Sequence, residues 1–243
     1  MKIFLDTEFA SFLSPLVWSI GLITLDGREC YVELDPDSDV GRERMTETLW
    51  DVQENVLDKL GLVRDSVCES ESAMGRRVGE WLLGVANASS DGCIDLMYDY
   101  GLDYELLVGV LEEAGLWSHV QLVINARNVA TETGGVGPEL ASEATYAVLR
   151  RRTAPLYRHH ALGDALALRA AWRTWRLEHE RRRDLQTLLG AVDRSREGWL
   201  YAWLASPEPE LGDQVPLDVL DQADGVQVVA AALGRIEGRG ASK

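Results

Sequence analysis

Apolar positions arrive first in short runs and later at helical spacing. Residues 3–9 form an apolar run that ends in acids, with the length and composition of a buried strand. Two further β-rich runs flank Asp26-Gly27, a pair that signals a hairpin because both residues tolerate positive φ. The opening therefore reads as three consecutive strands, the last two antiparallel. An Asp-rich polar segment follows, then helical spacing around 43–60 and 74–86. Beyond it come a strand at 93–99, a helix at 104–115 closed by Gly115, and a strand at 119–126. The polar GGVGP precedes helices near 139–151 and 161–183, the last with Leu168, Trp172 and Trp175 on one apolar face.

Three strands followed by alternating helices and strands is the order of a mixed sheet flanked by helices, an α/β fold. Near residue 184 the pattern breaks. The remainder holds PEPELGDQVP and two short helical patterns. Two domains are expected: 1–184, α/β, and 185–243, small and all-helical.

A chain of 243 residues is long enough to bury a sizeable core in either one domain or two. No stretch approaches the roughly 18 uninterrupted apolar residues of a membrane span, and no apolar signal core follows Lys2. Cys30, Cys68 and Cys93 stand outside any CxxC spacing and read as reduced structural cysteines, which suits the cytoplasm. The net charge of -16 argues against a nucleic-acid partner, but its distribution changes the picture. Residues 1–120 hold 8 basic and 24 acidic side chains, whereas residues 121–183 hold 11 basic and 6 acidic, and all eleven are arginines. Such a stretch can hold phosphate locally. RRR at 150–152 and at 181–183 reads equally well as a solvated helix face.

Residues two apart in a strand share a face, so Asp6 and Glu8 can aim both carboxylates at one point. Asp35/Asp37 and Glu69/Glu71 have the same spacing but read as loop charges. Asp6 and Glu8 differ in closing an apolar strand expected at the sheet centre. Two carboxylates there repel and lose hydration unless a cation neutralises them. Asp103, between strand 93–99 and helix 104–115, is either a helix N-cap or a further ligand, with Asp99 as its competitor. Asp164 lies at the start of an apolar helix behind His159 and His160. His179 and Asp184 repeat the five-residue spacing, but in a charged stretch. Gly163 beside Asp164 weakens the helix start by up to about 1 kcal/mol relative to alanine. Hard oxygen ligands suit Mg²⁺ or Mn²⁺, and a pair of such ions serves phosphodiester hydrolysis. A histidine titrating near neutrality can take the proton of the attacking water.

LDTEF, Asp103 after a strand, and HHALGDA, in this order, resemble the three motifs of the DEDDh 3′–5′ exonuclease superfamily over about residues 1–180. The MKIFLDTEF start and the HHAL spelling are similar to a bacterial and phage exoribonuclease branch. The resemblance implies a ribonuclease H-like, mixed five-stranded sheet flanked by helices. It implies Asp6, Glu8, Asp103 and Asp164 as ligands of two Mg²⁺ or Mn²⁺ ions, and His159, five before the last aspartate, as general base. Asp99 stands where many members have Asn, so Asp99 and Asp103 remain alternatives. The implied reaction releases nucleoside monophosphates from RNA 3′ ends, with single-stranded DNA as the alternative. Thr7, Phe9, Arg150, Arg151, Arg152 and Arg158 are the expected substrate contacts. Phe9, Phe12 and Leu13 offer stacking surfaces for a terminal base, with core packing the preferred reading.

The C-terminal stretch has another pattern: Trp199 and Trp203, Leu211-Gly212, Pro216-Leu217-Asp218, Gly225, then a helix through Ile236. Over about 190–240 it resembles the toxin-binding domain of Xre/MbcA/ParS-type antitoxins, with Asp213 where a second glycine is common. That resemblance implies dimer contacts and a RES-type, NAD-consuming toxin as partner, with Trp203, Leu211, Pro216, Leu217 and Ile236 as partner-binding residues. No helix-turn-helix half is visible. The rival reading is an antitoxin whose nuclease-like half only binds.

Overall fold

The computed structural model describes all residues except 64, 134–138, 151–154, 191, 193–196 and 241–243. GGVGP, Arg151 and Arg152 thus lie outside the described residues. The chain divides into two compact units, one of Met1–Gly135 with Leu149–Leu166, the other of Val136–Val148 with Ala167–Lys243. The division falls within one long helix, upstream of the boundary expected near 185.

The first unit is built on a six-stranded mixed sheet of order β4-β3-β2-β1-β5-β6. Its strands are β1 (Lys2–Phe9), β2 (Val17–Thr24), β3 (Glu29–Leu34), β4 (Val67–Cys68), β5 (Ile94–Tyr98) and β6 (Ile124–Asn128). β1–β2 and β2–β3 are antiparallel, while β1–β5, β5–β6 and β3–β4 are parallel. The sixth strand beyond the expected five is β4, whose two residues are too short to show any period. Every residue of β2 is buried, as are Ile3, Phe4 and Leu5 of β1. Strands covered on both faces read as continuous apolar runs, which is why the sequence marked them so plainly.

The Asp26-Gly27 hairpin forms, with Gly27 at φ 96° and the Thr24 N–H donating to the Arg28 carbonyl at 2.9 Å. The helices of the first half are α1 (Asp39–Glu47), α2 (Trp50–Asn55), α3 (Glu71–Ala88), α4 (Gly101–Glu113) and α5 (Trp117–Val120). The strand expected at 119–126 is corrected by α5: the chain first continues as a helical turn, and pairing with β5 begins only at Ile124. A short apolar run such as HVQLV fits either element, and local helical hydrogen bonds decide here.

The remaining helices are α6 (Val129–Thr133), α7 (Glu139–Leu149), α8 (Ala161–His179), α9 (Arg182–Leu189), α10 (Glu197–Leu204), α11 (Pro216–Leu220) and α12 (Gly225–Gly240). The helix expected over 161–183 is broken at Glu180 into α8 and α9. In the second unit Leu188, Leu200, Leu204, Leu217, Leu220, Val229 and Leu233 form one apolar core. Arg173, buried within it, pairs with Asp218 and, at 3.3 Å, with Asp221. Among the described residues no helix is long and apolar enough to cross a membrane.

Candidate metal centre

Asp6 and Glu8 end β1 where its apolar run stops, and a register shift between Glu8 and Phe9 bends the strand there. β5 runs parallel beside β1, so α4, starting at Gly101, delivers Asp103 to the same sheet end. Asp103 is not the N-cap, a place taken by Tyr100 without a side-chain bond. Its Oδ1 accepts instead from the Thr7 hydroxyl at 2.7 Å and the Thr7 N–H at 3.2 Å. Thr7 is itself largely buried and lines the cavity, and its two hydrogen bonds position the Asp103 carboxylate.

α8 brings the third contribution. A Cβ on Gly21, the β2 residue opposite Asp6, would lie 2.3 Å from backbone atoms of Ala161 and Leu162. Only a glycine lets the start of α8 sit directly on the sheet. Gly163 is explained similarly, because its Cβ would come within 2.7 Å of the Tyr157 carbonyl. This close fold-back places His159 and Asp164 at the cavity. The His159 N–H donates to Asp164 Oδ2 at 2.9 Å, and His159 takes φ 61°, a conformation uncommon for a residue with a side chain.

Asp6, Glu8, Asp99, Asp103, His159 and Asp164 all line one cavity of about 650 Å³ within the first unit. Their donor atoms form two groups, Glu8/His159/Asp164 and Asp6/Asp99/Asp103, each with atoms within 4.8 Å of one another. Burial, then the charges of Asp164, Asp103 and Glu8, hold the Asp6 carboxyl well above the carboxylate range. Burial and Asp164 raise Glu8 likewise, with Lys59 opposing. Asp103 is pushed up to about 7 by burial and Asp99, against the two Thr7 hydrogen bonds. Asp6 Oδ2 is sealed from solvent and accepts no hydrogen bond from the described residues. A crowded acid set with an orphaned buried oxygen fits hard divalent cations, which would remove both the repulsion and the desolvation cost. Asp99 and Asp103 share one donor group, so both stand within reach of one ion.

Sequence reasoning missed one wall. Asp51, Val52, Asn55 and Val56, from α2 and its end, also line the cavity, together with Tyr100. The four-residue spacing of Asp51 and Asn55 was visible, but nothing in it separates a site from a solvated helix face. Phe9 and Phe12 also line the cavity, with ring centroids 5.2 Å apart, and Phe12 lies 6.4 Å from Tyr100. Phe12 is 69% exposed and Leu13 96%, so the preferred core-packing reading fails for both. Arg150 and Arg158 are exposed and are not among the described residues lining the cavity.

In the second unit Trp203, Pro216 and Leu217 are buried, and Leu211 and Ile236 half-buried. Of these residues expected to bind a partner, Trp203 and Leu217 belong to the apolar core, and Leu211 and Ile236 pack against it. Gly225 is required where its Cβ would lie 2.0 Å from the Val219 carbonyl. Gly212 and Asp213 both take positive φ, 66° and 62°, which explains why glycine suits either position.

Residues 185–239 match the family described as the antitoxin Xre/MbcA/ParS C-terminal toxin-binding domain. The match runs from Leu185 within α9 to the penultimate residue of α12. No curated protein matches the chain.

Proposed function

We propose that the protein joins a metal-dependent 3′–5′ exonuclease site, in a ribonuclease H-like first part, to a small helical toxin-binding domain. The observation that carries the nuclease reading is the pair of donor groups facing one cavity, with Asp6 Oδ2 left without a partner among the described residues. The order of the sheet, with β1 central and both metal-facing acids at its end, suits the same reading.

Asp6, Glu8, Asp103 and Asp164 would hold two Mg²⁺ or Mn²⁺ ions, with Asp99 as an additional donor. Bound there, the ions would acidify the attacking water and absorb negative charge at phosphorus. His159, exposed at the cavity and tied through its N–H to Asp164, takes the proton of that water on a ring nitrogen. Phe9, Phe12 and Tyr100 receive the terminal base. RNA 3′ ends are the first substrate class and single-stranded DNA the second, because discrimination rests on contacts to the 2′-hydroxyl.

A second reading is favoured by the family match: an antitoxin that binds a RES-type toxin, with a nuclease-like half that only binds. One experiment separates the two. The full chain and Asp6→Asn are incubated with 3′-labelled RNA and DNA oligonucleotides in Mg²⁺, Mn²⁺ or EDTA. The nuclease reading requires nucleotide-by-nucleotide shortening that EDTA and Asp6→Asn abolish. EDTA-insensitive hydrolysis, or none with either polymer, leaves the antitoxin reading, which inhibition of a RES-type toxin by the full chain and not by residues 1–184 would support.

A further inference from the structure

His160 has no place in the donor groups, yet it is 2% exposed while its neighbour His159 opens to the cavity. Its ring stacks on Tyr31 of β3, with centroids 4.4 Å apart and planes at 25°. The Tyr31 hydroxyl donates to Glu33 Oε2 at 2.8 Å. Glu33 is 1% exposed, and its other oxygen accepts from the Gly61 N–H at 2.9 Å and the Ser66 hydroxyl at 2.8 Å. A carboxylate this buried keeps its orientation only when its lone pairs are used, and three donors use them here. The result is a fixed line of contacts from the 61–66 loop, through β3, to the residue next to His159.

His159 needs such support. Its φ of 61° lies in a region that residues with side chains leave unless surrounding contacts hold them. Its N–H is fixed by Asp164 on one side. On the other, the flat ring of His160 is clamped against Tyr31, and the following backbone at Ala161 rests on Gly21. We propose that His160, Tyr31 and Glu33 are positioning residues for His159, fixing the backbone from which its ring is presented to the cavity. The proposal rests on reading His159 as the general base. In it the two histidines of HHAL divide the work: one is exposed for proton transfer, the other buried as an anchor.

The chain has four histidines, so ¹³Cε1 labelling gives few signals, and His159→Gln assigns the relevant one. Tyr31→Leu and His160→Leu are expected to move the His159 signal and leave those of His119 and His179 in place. His160→Phe, which keeps a flat ring on Tyr31, is expected to restore it. With a 3′-labelled oligonucleotide and saturating Mg²⁺, kcat should fall about 10- to 100-fold in the two leucine variants, the scale of a small misplacement of a reacting group. KM should change less than about twofold, because substrate binding is untouched. Tyr31→Phe, which retains the stack and loses the tie to Glu33, should give an intermediate loss of kcat. An unmoved His159 signal in Tyr31→Leu and His160→Leu overturns the proposal, as does a His160→Phe protein no better than His160→Leu. Should the parent protein hydrolyse nothing, the nuclease reading fails, and the His159 signal still decides whether these residues position it.

Discussion

The Thr7 hydroxyl donates to Oδ1 of Asp103 across 2.7 Å, joining residues 96 positions apart. This bond locks α4 to the strand that carries Asp6 and Glu8, so three acids share one rigid frame. Thr7→Val keeps the shape and the backbone N–H while deleting the hydroxyl. Orienting partners of metal ligands typically contribute 10- to 100-fold in affinity, so Mg²⁺ binding measured by calorimetry should weaken by about that factor. Stability should fall by about 1–2 kcal/mol in denaturant. Unchanged Mg²⁺ affinity would mean that Asp103 is held in place without the hydroxyl.

The same acids set a pH dependence. Asp103, at about 7 in the folded state, keeps a proton that the unfolded chain releases near pH 4. The folded state therefore binds more protons across that window, and stability falls as pH rises through it. Asp6 and Glu8 shift in the same direction. In EDTA the melting temperature should drop between pH 5 and 8. With saturating Mg²⁺ the drop should shrink or reverse, because the cation stabilises the ionised carboxylates. Identical slopes with and without the metal would argue against a cation at this cavity.

Gly21 and Gly84 offer a matched contrast. Gly21→Ala would drive a methyl into the Ala161 backbone at 2.3 Å, lifting α8 and with it His159 and Asp164. The expected cost is about 1–3 kcal/mol, with loss of hydrolysis out of proportion to it. Gly84, on α3, has nothing within 4 Å of its would-be Cβ, so Gly84→Ala should gain about 0.5–1 kcal/mol and leave activity alone. Urea denaturation and initial rates on both variants check the pair.

Buried Arg173 supplies a prediction for the second unit. Its guanidinium is bound to Asp218 and Asp221, while Arg181 also reaches Asp221 at 3.2 Å. Arg173→Ala leaves Asp218 to Arg169, at 3.9 Å, and Asp221 to Arg181, and both carboxylates are partly exposed, so the cost is set below the 3–5 kcal/mol of a fully buried pair, at about 1–2 kcal/mol. Calorimetric unfolding should show the loss.

What was legible in the sequence was what periodicity and desolvation write there. β1, β2 and β3 stood out because strands buried on both faces are mostly apolar, and the few polar residues they bury, such as Thr7 and Glu33, are held by hydrogen bonds. The same logic separated Asp6 and Asp164, set in apolar surroundings, from Glu71, which pairs with Arg44, and Asp184, which pairs with Arg181. The two-residue β4 has no period to read. The α5 turn was lost because HVQLV satisfies a strand as well as a helix. The α2 wall of the cavity was hidden for a different reason: its position follows from how the chain returns to the sheet, with Leu49 bonding to the Ala10 carbonyl at 3.0 Å. Nothing local in WDVQEN encodes that return. The burial of Trp203 and Leu217 was not legible either, because large apolar residues fill a core as readily as they bind a partner.

The exposed aromatic edge supplies the last prediction. Phe12 is 69% exposed and meets Phe9 and Tyr100 in T-shaped contacts, so its ring is steadied while most of it stays open to solvent. An aromatic held this way stabilises the fold little, since most of its surface never leaves water. It can, however, accept the face of an unpaired base, an interaction of about 1–3 kcal/mol that does not depend on base identity. Phe12→Ala should therefore leave the melting temperature nearly unchanged. It should weaken single-stranded oligonucleotide binding by about 5- to 100-fold in fluorescence anisotropy with Ca²⁺ in place of Mg²⁺, and similarly for RNA and DNA. Weakening confined to one base, or a large loss of stability with intact binding, would return Phe12 to a packing role.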